Sequence, residues 1–334
     1  MKSAVLFLCA LPLLAAIDGT VVNKTTGQPQ AGVKITLTKL GQGGMQAGGS
    51  TTSGADGSFK LESGADSAHL LQALWQGVTY NVQLQPGSAT TGLKIEVFDA
   101  LPKVSAVDAT QHMILIETDG QEVVVNETVI FQNDSQTTWY DPKTGSLQFT
   151  APPEAGKDVK ARAIAPGGMP VEREPKQIAK GVYAVDFPVK PGETRFDISY
   201  KLPAKAPTAL AGKILHAPGP VRFVVPQGVT LEGDNLTALG NEPKSGAAIF
   251  DLKGDVYNVK ISGSGTLRAT ESAASDAPAA TDREEDGPRI QQILPPGYER
   301  QYKWALGLIL AILALSFYAQ YIKTPPSQGS KPKA

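Results

Sequence analysis

Apolar and polar positions alternate in short runs from Ile17 onward, the period of strands that bury one face. In IDGTVV, VKITLTKL, ADGSFKLE, LLQALWQGVTYNVQL and LKIEVFDA the runs are bounded by turn residues. Ile35 and Leu37 alternate with Lys34, Thr36 and Thr38; Asp56-Gly57 sets a turn ahead of Phe59 and Leu61; Gln76-Gly77 breaks the longest run. This spacing predicts about seven strands up to residue 100, enough for a small sandwich. A second block begins at Leu101, where HMILIE and EVVVNETVIFQN flank Thr118-Asp119-Gly120-Gln121. An Asp-Gly pair between two alternating runs predicts a hairpin. LQFTAP, VKARAIAP, VYAVDFPV, TRFDISYKL, VRFVVP, AAIFDLKG and VYNVKISG follow, separated by Pro- and Gly-bearing turns and without helical period. The block is long for one immunoglobulin-like sandwich, so two are expected, at 101–203 and, smaller, at 204–269. The class predicted is all-β: tandem β-sandwich domains in series.

Two runs depart from this pattern. The first, residues 1–16, has one early lysine, an apolar centre from Ala4 to Leu14 and small residues at Ala15 and Ala16, the layout of a secretory signal peptide cut near Ala16. The second, WALGLILAILALSFYAQYI at 304–322, carries no charge. At about 1.5 Å per residue it would span roughly 28 Å as a helix, close to the hydrocarbon thickness of a bilayer. Trp304, Tyr318 and Tyr321 stand where interfacial aromatics belong, and Gly307, Ala311 and Ala314 form a small-residue face suited to helix packing. Residues 270–303 form a stalk and juxtamembrane segment, rich in Ala, Ser, Asp and Pro at first and too polar to build a core. The tail, 323–334, holds Lys323, Lys331 and Lys333, which orients the chain with a cytoplasmic C-terminus and a periplasmic or extracellular head. The expectation is a single-pass membrane protein.

Composition removes several functions. Lys and Arg total 31 against 32 Asp and Glu, which leaves no basic field for nucleic acid. The one cysteine, Cys9, lies in the N-terminal apolar run, so neither a disulfide nor a thiolate metal site is expected in the mature chain. His69, His112 and His216 are far apart, lack metal-ligand spacing and read as strand or surface histidines. No Gly-x-Ser-x-Gly elbow occurs, and SGSG at 262–265 reads as a turn. The glycine-rich stretch 41–54 lacks the Lys-Ser/Thr of a phosphate loop and reads as a mobile hairpin connection. Asp186, Asp251 and Asp255 do not form a calcium-loop spacing. The expectation is a non-enzymatic chain without cofactor or metal. Asn23, Asn126, Asn133 and Asn235 stand in glycosylation sequons that chance explains. Two aromatic pairs are candidates for binding, Trp75 with Tyr80 and Trp139 with Tyr140, because aromatic faces stack on sugar rings and anchor protein interfaces. The second pair lies beside the Asp141-Pro142 and Thr144-Gly145 turn.

Ile17-Asp18-Gly19-Thr20-Val21-Val22, the run from Gly27 through Pro29, Gly32 and Ile35 to Leu37, and Thr51-Thr52 leading to Asp56-Gly57-Ser58-Phe59 carry a resemblance. They resemble the carboxypeptidase regulatory-like (transthyretin-like) domain over residues 17–100. The resemblance implies a β-sandwich used as an accessory module in exported proteins, and it brings no catalytic residues. Collagen-adhesin B-type repeats share the pattern. APGGMPV and KPGETRFDISYKLP are similar to tracts of bacterial cell-envelope proteins in which another sandwich follows such a domain. The expected function is binding or scaffolding of a protein partner at the cell envelope; the alternative is carbohydrate or cell-wall binding through exposed aromatics.

Overall fold

The computed structural model describes residues 16–41, 44–62, 68–156, 158–205, 207–216 and 219–267. Within them the chain is all-β, with many strands in several sheets, no α-helix and one 3-10 turn at Pro153–Ala155. Alternation of side chains explains the absence of helix: a period of two buries one face of a strand and would scatter the same residues around a helix. Residues 1–15 of the signal peptide expected at 1–16, the stalk, the span at 304–322 and the tail lie outside the described residues, and with them Trp304, Gly307, Ala311, Ala314, Tyr318 and Tyr321. No helix among the described residues is long and apolar enough to cross a membrane.

Residues 16–97 build two sheets around one core. In the first, strand Ala16–Asn23 pairs with Gln28–Pro29 and Ser58–Glu62 antiparallel and with Leu93–Val97 parallel. In the second the order is Gly44–Thr52, Lys34–Gly41, Ala68–Trp75, Val78–Leu84. Ile17, Val21, Phe59, Leu61 and Ile95 of one sheet meet Ile35, Leu37, Leu71, Ala73 and Tyr80 of the other. The predicted alternation at Ile35 and Leu37 is present, and both are fully buried. Gln76 and Gly77 both take positive φ, 46° and 80°, the turn whose twist matches a two-residue hairpin, so Trp75 faces Val78 directly. The glycine-rich stretch departs from expectation. Gly44–Thr52 is a nine-residue edge strand paired with Lys34–Gly41, not a connection. Backbone pairing needs no side chains, and at Gly48 a Cβ would lie 2.9 Å from the Leu37 side chain.

Beyond residue 100 one eight-stranded sheet dominates, in the order Val171–Arg173, Lys160–Ile164, Gly192–Pro203, Glu122–Asn133, Val107–Thr118, Val221–Val225, Ala248–Leu252, Leu236–Asn241. The hairpin predicted at Asp119-Gly120 joins its two central strands, with Asp119 Oδ1 accepting from the Gln121 and Glu122 amides at 2.8 and 2.9 Å. Two three-stranded sheets contribute to the same core, Leu147–Thr150 with Val182–Val185 and Lys176–Ala179, and Thr208–Lys213 with Val256–Gly263 and Val229–Glu232. Strands from both sides of residue 203 therefore share one sheet and one core, and 101–203 and 204–267 do not pack as separate units. The link is the parallel pairing of Val107–Thr118 with Val221–Val225, which no local pattern announces.

Candidate ligand cleft and buried polar relay

Two of the four aromatic candidates, Tyr80 and Tyr140, link the two parts of the head, and Trp75 is tied within the first. Trp75 Nε1 donates to Asp99 Oδ1 at 3.2 Å, an oxygen that also accepts from Asn23 Nδ2 at 2.8 Å. Tyr80 is buried in the N-terminal core, where its hydroxyl donates to the Phe98 carbonyl at 2.9 Å and lies 2.9 Å from Thr138 Oγ1. Burial pushes that phenol's pKa up. Tyr140, half-buried, packs against the same core, and its phenol is raised by burial and then by the Asp186 carboxylate.

Trp139 is placed differently. Its backbone bridges to Val189 in both directions, at 3.0 and 2.9 Å, and its indole Nε1 donates to the Pro102 carbonyl at 3.1 Å. Phe131 meets the indole edge-on with centroids 5.7 Å apart. Held on three sides, the half-buried ring lines a cleft of about 320 Å³ together with Lys103, Thr144, Ser146, Gln148 and His216. Ser146 is 4 % exposed, and its Oγ has no hydrogen-bond partner among the described residues. A buried hydroxyl in that condition costs free energy.

His216 opens a second feature. Its Nε2 lies 2.9 Å from His112 Nδ1; His112 Nε2 lies 3.2 Å from Glu127 Oε2; and Tyr200 Oη donates to Glu127 Oε1 at 3.0 Å. Tyr257 continues the series, within hydrogen-bond reach of Tyr200 and Thr150. His112 and Glu127 are each 3 % exposed and Tyr200 1 %, so a polar chain crosses an otherwise apolar core. Strand geometry assembles it. Glu127 faces Ile114 across one pairing and Ile198 across the other, so His112 and Tyr200 are its diagonal neighbours, two positions along and within reach of long side chains. Gly212 makes room for the Tyr257 hydroxyl, since a Cβ there would fall 2.4 Å from Tyr257 Oη. Burial, then the Glu127 charge, drives the pKa of both phenols upward. They stay protonated and serve as donors.

The His112–His216 contact holds one shared proton, because one ring must donate and the other accept. Read singly, the three histidines gave no sign of this. The available signal was Glu127 itself, a charged residue at the inward parity of Val123, Val125, Val129 and Phe131. Among the described residues no group of three or more His, Cys, Asp or Glu side chains is placed to hold a metal ion.

Compared with known proteins, the chain matches no family model and no curated protein sequence.

Proposed function

We propose that this chain is an exported, single-span envelope protein whose all-β head binds its ligand without converting it, and that the Trp139 cleft seats a sugar ring of a cell-wall or surface glycan. The observation that carries the reading is the composition of the cleft: an immobilised indole flanked by Ser146, Thr144, Gln148 and His216, an apolar face with hydroxyl and amide groups at its rim. A pyranose has the complementary character, C–H groups on one face and hydroxyls around the edge. Export and anchoring rest on the apolar runs at 1–16 and 304–322. In the same reading residues 17–100 are a carboxypeptidase regulatory-like module, and the two-sheet core at 16–97 supports that assignment.

Retention of the full-length chain on immobilised wall polysaccharide tests the proposal. Trp139→Ala should weaken retention by about tenfold or more, the scale of a lost aromatic anchor, with Trp139→Phe intermediate. Unchanged retention by Trp139→Ala, in protein whose urea midpoint shows an intact head, refutes it.

A further inference from the structure

A second and larger recess shares no lining residue with the Trp139 cleft. It holds about 620 Å³, between the outward face of strands Ala68–Trp75 and Val78–Leu84 and the segments 165–173 and 186–190. That volume is in the range of ligand sites. Two cations line it, Lys190 and Arg173, against one carboxylate, Asp186, which is already hydrogen-bonded to Tyr140. Lys190 forms no ion pair among the described residues. Its ammonium donates to the Thr79 carbonyl at 2.5 Å and lies 4.8 Å from the centre of the Tyr80 ring. A half-buried ammonium held by a neutral acceptor and a ring face is under-compensated, and burial brings its pKa down to about 8. An arriving anion would restore the missing charge.

The rest of the recess narrows the class of anion. Gln72, Asn81 and Gln83 present side-chain amides on one wall; Gln72 Nε2 donates to Asn81 Oδ1 at 3.4 Å, and the remaining donors and acceptors suit the backbone of an extended peptide. Met169 and Val171 on the other wall are 73 % and 39 % exposed, free apolar surface for a side chain. We infer that this recess captures the C-terminal end of a partner polypeptide, with the free α-carboxylate on Lys190, the peptide groups on the amide wall, and an apolar side chain against Met169 and Val171. The protein-partner role expected from the sequence then belongs to this surface and glycan binding to the other.

The probe is an acetylated tetrapeptide with an apolar last residue, titrated calorimetrically into the full-length chain in detergent, beside the same peptide with a C-terminal amide. The free acid should bind about 10- to 100-fold more tightly, the scale of a charge-assisted hydrogen bond. Lys190→Met should abolish that difference, and Lys190→Arg should keep much of it. Equal affinity for acid and amide overturns the inference, and so does a Lys190→Met protein that still discriminates. Glucuronic acid binding as tightly as the peptide acid would overturn the peptide assignment. A measurement on the unsubstituted side chain covers the case in which Lys190→Met does not fold. With the lysines reductively ¹³C-methylated, the Lys190 titration should move upward in saturating peptide; an unmoved titration overturns the inference.

Discussion

Tyr200→Phe removes one oxygen and changes no packing volume of consequence, which makes it the sharpest probe of the polar chain in the core. Tyr200 is 1 % exposed and its hydroxyl donates to Glu127 Oε1 at 3.0 Å; the other carboxylate oxygen faces His112 at 3.2 Å. With Glu127 only 3 % exposed, water cannot readily replace the lost donor. A hydrogen bond to a buried carboxylate contributes about 1.5 to 3 kcal/mol, and leaving the acceptor unsatisfied exacts the whole of it. For a head of this size, with a urea m-value of about 3 kcal/mol per molar, the midpoint should fall by roughly 0.5 to 1 M. The same core offers an internal control of opposite sign. Thr194 is fully buried, and its Oγ1 has no partner among the described residues. Thr194→Val deletes an unsatisfied hydroxyl at constant shape and should leave the midpoint unchanged or raise it. Urea unfolding of the full-length chain in detergent, followed by circular dichroism, compares the two. A Tyr200→Phe midpoint within about 0.2 M of the parent, at unchanged m, would show that Glu127 does not depend on the phenol.

Two further outcomes are expected. Gly19→Ala would place a Cβ 2.1 Å from the Leu93 carbonyl oxygen, so the parallel pairing of Ala16–Asn23 with Leu93–Val97 must open; a loss of more than about 2 kcal/mol should appear in urea unfolding, and a neutral substitution would mean that the backbone yields there. Lys190 should make stability rise with pH. Below about 8 the ammonium is charged in folded and unfolded chains alike and the burial cost stands in full; between about 8 and the ordinary value of 10.5 the unfolded chain keeps a proton that the folded chain has released, so the folded state gains as pH increases. Thermal unfolding from pH 7 to 10.5 should show that gain in the parent relative to Lys190→Met, and parallel curves would contradict it.

The strands were legible because alternation is local: Ile35 and Leu37, Phe59 and Leu61, and the Asp119-Gly120 hairpin all lie where the pattern puts them. The division at residue 203 misled because sheet continuity there depends on Val107–Thr118 meeting Val221–Val225, a pairing between segments that are each complete as patterns. The glycine-rich edge strand was hidden for the opposite reason. Its pairing is made by backbone groups alone, and the residues that mark strands are missing. Among the site residues, the Asp141-Pro142 and Thr144-Gly145 turn singled out Trp139 and Tyr140 together, but nothing local showed that Trp139 lines the cleft whereas Tyr140 packs on the N-terminal core. The polar relay was invisible to spacing rules because His112, Glu127, Tyr200 and His216 come from four segments and meet only on the inner face of a sheet.

That parallel pairing has a consequence for how the protein is made. A chain emerging from its N-terminus completes the hairpin of Val107–Thr118 and Glu122–Asn133 early, and Gly192–Pro203 can then cover one flank. The other flank, Val107–Thr118, waits for Val221–Val225 with its amides and carbonyls unpaired. Until that strand arrives, the half-built head is an open template for another chain, and closing so long a loop is slow. Val221–Val225 is therefore the strand whose arrival turns an aggregation-prone edge into a paired one.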